Sequence, residues 1–269
     1  MDELKGNGLN LSNIKKKLIR PVGTQRFIEI DMLRGVAILM MIIGHILWDL
    51  DYFGLLPINS EVYSVLQRTC PPLFFLLVGM SLIVSKKKSD RKSNNDENTY
   101  YKHLIVRGLN IFCLGMCLTI GSLIFMPEKI VFFGVLHCIG LSIVISTIFL
   151  KYKKYVPIFA ISFISTGMIF MKIHIQNPTL FHLIIGQHSA DLWSYTLDYF
   201  PMLPWFGLVL LGISIGDQLY EGTSRKFRMP DLSKYKPIKI FQWCGQHSLG
   251  LYLVHQPVIA GALSVYLLI

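Results

Sequence analysis

Arg34-Gly35-Val36-Ala37-Ile38-Leu39-Met40-Met41-Ile42-Ile43-Gly44-His45 places a guanidinium and an imidazole at the two ends of a run that is otherwise apolar enough to lie in hydrocarbon. A charge inside such a run is costly unless it is paired or used, so it marks where function should be sought. On a helix, the separation from Arg34 to His45 is about 16 Å along the axis, at ~1.5 Å per residue. The stretch therefore predicts a membrane-crossing helix with the guanidinium near one face and the imidazole well inside.

The rest of the chain agrees. Its 269 residues are 52% hydrophobic and only 16% charged, with a mean hydropathy of +0.50, too apolar for a soluble domain of this length. Apolar runs centre on 32–50, 69–85, 104–125, 130–150, 156–172, 200–216 and 243–268. Each approaches the ~20 residues that a helix needs to cross ~30 Å of hydrocarbon. The predicted fold is an all-α polytopic bundle of about seven transmembrane helices. Continuous runs, instead of short alternating ones, argue against a barrel.

Lysine and arginine gather at Lys15, Lys16, Lys17, Arg20 and Arg26, at Lys86, Lys87, Lys88, Arg91, Lys92 and Lys102, at Lys151, Lys153 and Lys154, and over 225–239. The alternate loops carry little beyond Lys129 and Lys172. By the positive-inside rule the N-terminus is cytoplasmic, seven spans put the C-terminus outside, and the protein is expected to be multi-pass in the cell membrane. The net charge of +10 then belongs to short loops facing a lipid bilayer, and nucleic acid is excluded as a partner because no groove-reading module accompanies it. Residues 1–25 read as a cytoplasmic basic tail and 26–269 as one transmembrane domain, with the Lys-, Ser- and Asn-rich stretch 86–102 as a flexible cytoplasmic loop. The first apolar run is too long for a secretory signal and no small-residue cleavage site follows it, so it is expected to stay as an anchor. Cys70, Cys113, Cys117, Cys138 and Cys244 match no zinc spacing, read as packing residues, and imply no metal.

Several polar residues in or beside these runs could carry chemistry. Asp31 and Arg34 share a helix face three residues apart, either as an ion pair snorkelling to the interface or as a grip on an anionic cofactor, with Asp31 orienting Arg34. His45 has Asp49 four residues on, so a carboxylate could hold one imidazole nitrogen and leave the other as a base or acyl acceptor. In the last run, His255 lies deep enough to face His45, with His247 on the same stripe nearer the cytoplasmic side; His255-Gln256-Pro257 could also serve backbone groups that the proline releases. Asp198, Tyr199 and Trp205 sit in a polar and aromatic segment on the outer side, which reads either as an interfacial belt or as a sugar-binding surface. His137 reads as packing. Pro71 to Ser81 and Pro204 to Ser214 echo each other, both ending Gly-x-Ser, a spacing that suits close helix contact.

Together, Ile30-Asp31-Met32-Leu33-Arg34-Gly35-Val36-Ala37 with His45, Pro72-Leu73-Phe74-Phe75-Leu76-Leu77-Val78-Gly79-Met80-Ser81, Asp198-Tyr199-Phe200-Pro201-Met202-Leu203-Pro204-Trp205 and the His247 to Pro257 segment resemble the catalytic-domain family of heparan-alpha-glucosaminide N-acetyltransferase. The chain is similar more broadly to the transmembrane acyltransferases that acetylate extracytoplasmic glycans, whose first span carries an Arg, ten residues and a His, as Arg34 and His45 do. The resemblance implies acetyl-CoA as cytoplasmic acyl donor and a glycan or amino-sugar acceptor outside. Among the residues read above, Arg34, Asp31 and His247 would then serve the donor, His45, Asp49 and His255 catalysis, and Asp198, Tyr199 and Trp205 the acceptor. A small-solute or proton-coupled transporter is the alternative, since buried charges also line such paths. A homo-oligomer is compatible with all of these readings.

In a cysteine-free background, Asn94→Cys and Gln187→Cys should react with a membrane-impermeant thiol reagent from opposite sides of the membrane. Modification of both from one side would overturn the proposed orientation.

Overall fold

The computed structural model describes residues 26–58, 60–91, 97–222, 224–230 and 232–268; the tail expected over 1–25 lies outside them. In chain order the helices are α1 (Ile28–Tyr52), α2 (Ser60–Asp90), α3 (Glu97–Phe125), α4 (Val135–Phe149), α5 (Val156–Phe170), α6 (Leu180–Ile185), α7 (Leu192–Tyr195), α8 (Met202–Leu219), α9 (Lys236–Gln246) and α10 (Ser248–Leu268). A two-residue-per-strand hairpin, β1 (Tyr220–Glu221) and β2 (Ser224–Arg225), follows α8.

Five of these helices, α1, α2, α3, α8 and α10, are long and apolar enough to cross a membrane. Counting the bent pair α4 and α5 as one span gives up to six, against about seven expected. The fourth and fifth apolar runs form α4 and α5, of 15 residues each, bent by 118° across the turn between them. Each is about 22 Å long by its rise, short of ~30 Å of hydrocarbon. Two local causes shorten them. Residues 130–133 are extended, bridging Ile130 to Thr196 and Phe133 to Tyr199, so α4 starts only at Val135. The Lys153–Tyr155 turn then breaks the chain before Pro157 opens α5.

Two more boundaries move. The last run splits at His247 into α9 and α10. Most of the loop expected over 86–102 is helix, with 92–96 outside the described residues. Lys86 ion-pairs with Asp90 at 2.5 Å and Glu97 at 3.1 Å, tying α2 to α3. Lys87 donates to the carbonyls of Asp217 and Tyr220 at 2.6 and 2.8 Å, capping the end of α8. These lysines extend helix α2 because the carbonyls and carboxylates they meet lie beside its last turn.

Lipid tails are as apolar as leucine, so helices in a bilayer associate through close fit more than through exclusion of water. Glycine provides that fit here. A Cβ on Gly79 of α2 would lie 1.9 Å from the Val209 carbonyl oxygen, and one on Gly212 of α8 would lie 2.1 Å from that of Leu76. The two echoing Gly-x-Ser segments thus pack on each other, with Phe75, Leu210, Val209 and Ile213 buried around the crossing. On the other flank, Gly35 of α1 meets the Phe241 carbonyl and Gly245 of α9 meets that of Asp31, so α9 lies antiparallel against the first half of α1. The outermost element is α10, which leans mainly on α1.

Cys70, Cys138 and Cys244 are packed as expected, but Cys113 and Cys117 are exposed on α3. His137 is a core residue, accepting from the Gly134 N–H at 3.2 Å between the rings of Phe112 and Phe133.

Gly79→Ala should cost about 1–3 kcal/mol by overpacking, whereas Gly121→Ala, whose Cβ would meet nothing within 4 Å, should be neutral or gain helix propensity. Thermal unfolding in detergent checks both.

Candidate active site

Helix periodicity sets Asp31, Arg34, Ile38, His45 and Asp49 along one stripe of α1. At the Arg34 end, the guanidinium donates through Nη1 to Asp31 Oδ1 at 3.1 Å and through Nη2 to Ser81 Oγ of α2. Asp31 also accepts from Gln246 Nε2 of α9 at 3.3 Å and has Arg26 3.9 Å away. Gln246 reaches it because Gly245 and Gly35 let the α9 and α1 backbones touch. The Asp31–Arg34 pair expected from sequence is therefore present, as part of a larger cluster. His247, expected beside it, is not: it ends α9 in an exposed position, with Nδ1 on the Trp243 carbonyl at 2.9 Å and its ring 4.6 Å from that of Trp243. It is the neighbouring Gln246 whose side chain reaches Asp31. Arg107 of α3 lies within coulombic reach of Arg34, and sequence reading passed over it.

At the other end of the stripe, His45 and His255 meet edge to face, ring centroids 4.8 Å apart. His45 Nδ1 lies 2.9 Å from the Met41 carbonyl oxygen, and His255 Nδ1 lies 2.6 Å from that of Tyr252. A carbonyl only accepts, so both rings carry their proton on Nδ1 and present an Nε2 lone pair. His255 Nε2 is buried with no partner. Asp49 does not take the part expected of it. Both of its oxygens accept from Gln256 Nε2, at 3.0 and 3.1 Å, and its influence on His45 is coulombic only. The physical reason is that the i−4 carbonyl of α1 already occupies the nitrogen that Asp49 would have held. Gln256 thus anchors α10 to α1, and it serves Asp49 instead of backbone freed by Pro257.

The segment before α8 is turned inward. Asp198 Oδ2 accepts from the Val135 N–H at 3.0 Å, capping α4, and Gly134 leaves room for it. Burial raises the Asp198 carboxyl above the usual carboxylate range, and both His45 and Tyr252 feel its charge. Tyr199 is 5% exposed, with its hydroxyl on the Leu183 carbonyl at 2.6 Å, and burial raises its phenol as well. It is a core tyrosine and offers no free face for a sugar. Trp205 packs tilted against Phe75 and edge-on against Phe200, and its indole Nε1 is buried with no partner among the described residues.

Two polar clusters lie on one stripe, an arginine group and a pair of histidines whose Nδ1 atoms are tied to main-chain carbonyls. A sequence profile for the family described as heparan-alpha-glucosaminide N-acetyltransferase, catalytic, matches residues 26–257. The chain belongs to that family. Membership makes it a multi-pass membrane acetyltransferase by class, and the match spans both clusters. No curated protein and no solved structure matches the chain.

Tyr199→Phe should cost about 1 kcal/mol through the lost hydrogen bond, read as a lower unfolding midpoint in detergent, with turnover unchanged. A selective loss of acceptor affinity would return Tyr199 to the site.

Proposed function

We propose that the protein moves an acetyl group from cytoplasmic acetyl-CoA through the helix bundle to an amino sugar or other glycan acceptor at the outer face. Arg34, held by Asp31 and Ser81, faces the cytoplasm and binds the phosphorylated part of the donor. The pantetheine arm follows the α1 stripe, about 16 Å long by helix rise, and brings the thioester to His45 and His255. The acceptor approaches from outside, near Asp198, whose Oδ1 has no hydrogen bond among the described residues and suits an ammonium or hydroxyl group.

The observation that carries this reading is the pair of imidazoles with both Nδ1 atoms tied to main-chain carbonyls and both Nε2 atoms free. One Nε2 takes the proton as the acceptor nitrogen or oxygen attacks the thioester carbonyl carbon. The C–S bond then breaks, and the thiolate leaves and is protonated as free CoA. The same lone pair could instead accept the acetyl group first and pass it on. Neutral, oriented imidazole serves either route. Family membership favours group transfer over the transporter reading, since the histidine pair then has a reaction to serve.

His45→Ala should lower acetyl transfer by roughly 10²–10⁴-fold while CoA binding persists, and His255→Ala should be the next most damaging change. Arg34→Lys should weaken acetyl-CoA binding, because the planar fork is lost. Labelled acetyl-CoA and purified protein, with and without amino sugars, provide the assay; label retained on protein without acceptor marks the acetyl-enzyme route. Wild-type turnover by His45→Ala and His255→Ala together would sink the proposal.

A further inference from the structure

Helix α9 has one face that neither water nor hydrocarbon suits. Its less exposed side, with Ile238, Phe241, Gln242 and Gly245, packs on α1, where the Phe241 carbonyl meets Gly35 and the Asp31 carbonyl meets Gly245. The opposite side carries Lys236, Lys239, Ile240, Trp243 and His247, all exposed and spaced by threes and fours. Ile240 and Trp243, with Tyr235 just before the helix, are between 55% and 62% exposed. In water these apolar side chains would stay wet, and in hydrocarbon the two lysines would be stranded. The headgroup layer accommodates both, with an indole at the level of the glycerol groups and lysines reaching the phosphates.

The position of α9 agrees. Gly35 and Asp31 lie within the first turns of α1, so α9 sits at the end where that span begins. Its 11 residues are about 16 Å long by their rise, too short to cross.

The charge is one-sided. From Arg225 to Lys239 the chain has six cations, and after Glu221 its only acidic residue is Asp231, which is not among the described residues. Arg225 is committed to Glu29, at 2.6 and 2.8 Å. Lys226, Arg228, Lys234, Lys236 and Lys239 are exposed and make no hydrogen bond or ion pair among the described residues. Five cations beside an apolar anchor lack an anion, and a surface of anionic lipid supplies it.

We infer that this segment is an anionic-phospholipid-binding surface for the leaflet in which α1 begins: Ile240 and Trp243 enter the upper acyl region, and Lys226, Arg228, Lys234, Lys236 and Lys239 hold lipid phosphates. None of these residues belongs to the arginine or histidine cluster, so the inference stands apart from the acetyl-CoA reading. The occupant is lipid and not a free polyanion, which would satisfy the lysines but leave Ile240 and Trp243 wet.

The test measures quenching of Trp243, taken as the part of the emission lost in Trp243→Phe, in bilayers that mix phosphatidylcholine with phosphatidylglycerol. Equal amounts of bromine are placed high on the acyl chains of one lipid or the other. Brominated phosphatidylglycerol should quench severalfold more than brominated phosphatidylcholine. Lys236→Gln with Lys239→Gln should remove most of that preference, since a lysine at the surface is worth roughly fivefold in lipid affinity, and molar salt should do the same by screening. Unchanged helix content in the double variant, read by circular dichroism, shows that the loss is one of binding and not of folding. Equal quenching by both lipids, or a preference that survives loss of both lysines and high salt, overturns the inference. No quenching by either lipid places the helix in water, and stronger quenching by bromine at the chain ends places it in the hydrocarbon core; each overturns the inference as well.

Discussion

Main chain touching main chain is the contact on which the rest of the protein depends. In hydrocarbon, helices gain little by hiding apolar side chains from one another, and what holds them is dispersion at short range. Gly79 and Gly212 bring α2 and α8 to that range, and Gly35 and Gly245 do the same for α1 and α9. The second crossing also builds chemistry. With α9 against α1, Gln246 meets Asp31, Asp31 is oriented toward Arg34, and Arg34 reaches across to Ser81. A side chain at Gly35 would separate the helices and uncouple that series.

The charged residues of α1 were legible because an arginine in an apolar run has few reasons to be there, and helix period alone aligns it with His45. The facing of His45 and His255 was legible from depth. Partners that join different helices were not. Ser81, Gln246 and Gln256 are neutral and ordinary in any one helix, and only packing shows that they serve Asp31, Arg34 and Asp49. Arg107 was hidden in the same way, inside a run scored for its apolar residues. Hydropathy marks seven apolar runs where five helices, or six spans with the bent pair, are long enough to cross, because it cannot tell helix from extended chain. Residues 130–133 are as apolar as a helix would require, yet they bridge to the segment before α8. Tyr199 was hard to place for a related reason, since a polar and aromatic string before a span looks like a surface until its hydrogen bond to the Leu183 carbonyl is seen.

The histidine pair shows how a helix can orient an imidazole without a carboxylate. A carbonyl three or four residues back fixes the proton on Nδ1 as firmly as an aspartate would, and adds no negative charge to the membrane interior. Asp49 is then free for a mechanical duty, holding Gln256.

That duty has an architectural corollary. The helix bearing His255 leans mainly on α1 and is joined to α9 only through the break at His247, while the glycine-sealed core of α2, α5 and α8 closes without it. The histidine pair is in this sense assembled from two modules, one imidazole carried by α1 and the other by α10. A chain divided in the 223–235 region would carry the second module, α9 with α10, as its own polypeptide, to be recaptured through Gly35 against Phe241 and the amide of Gln256 on Asp49.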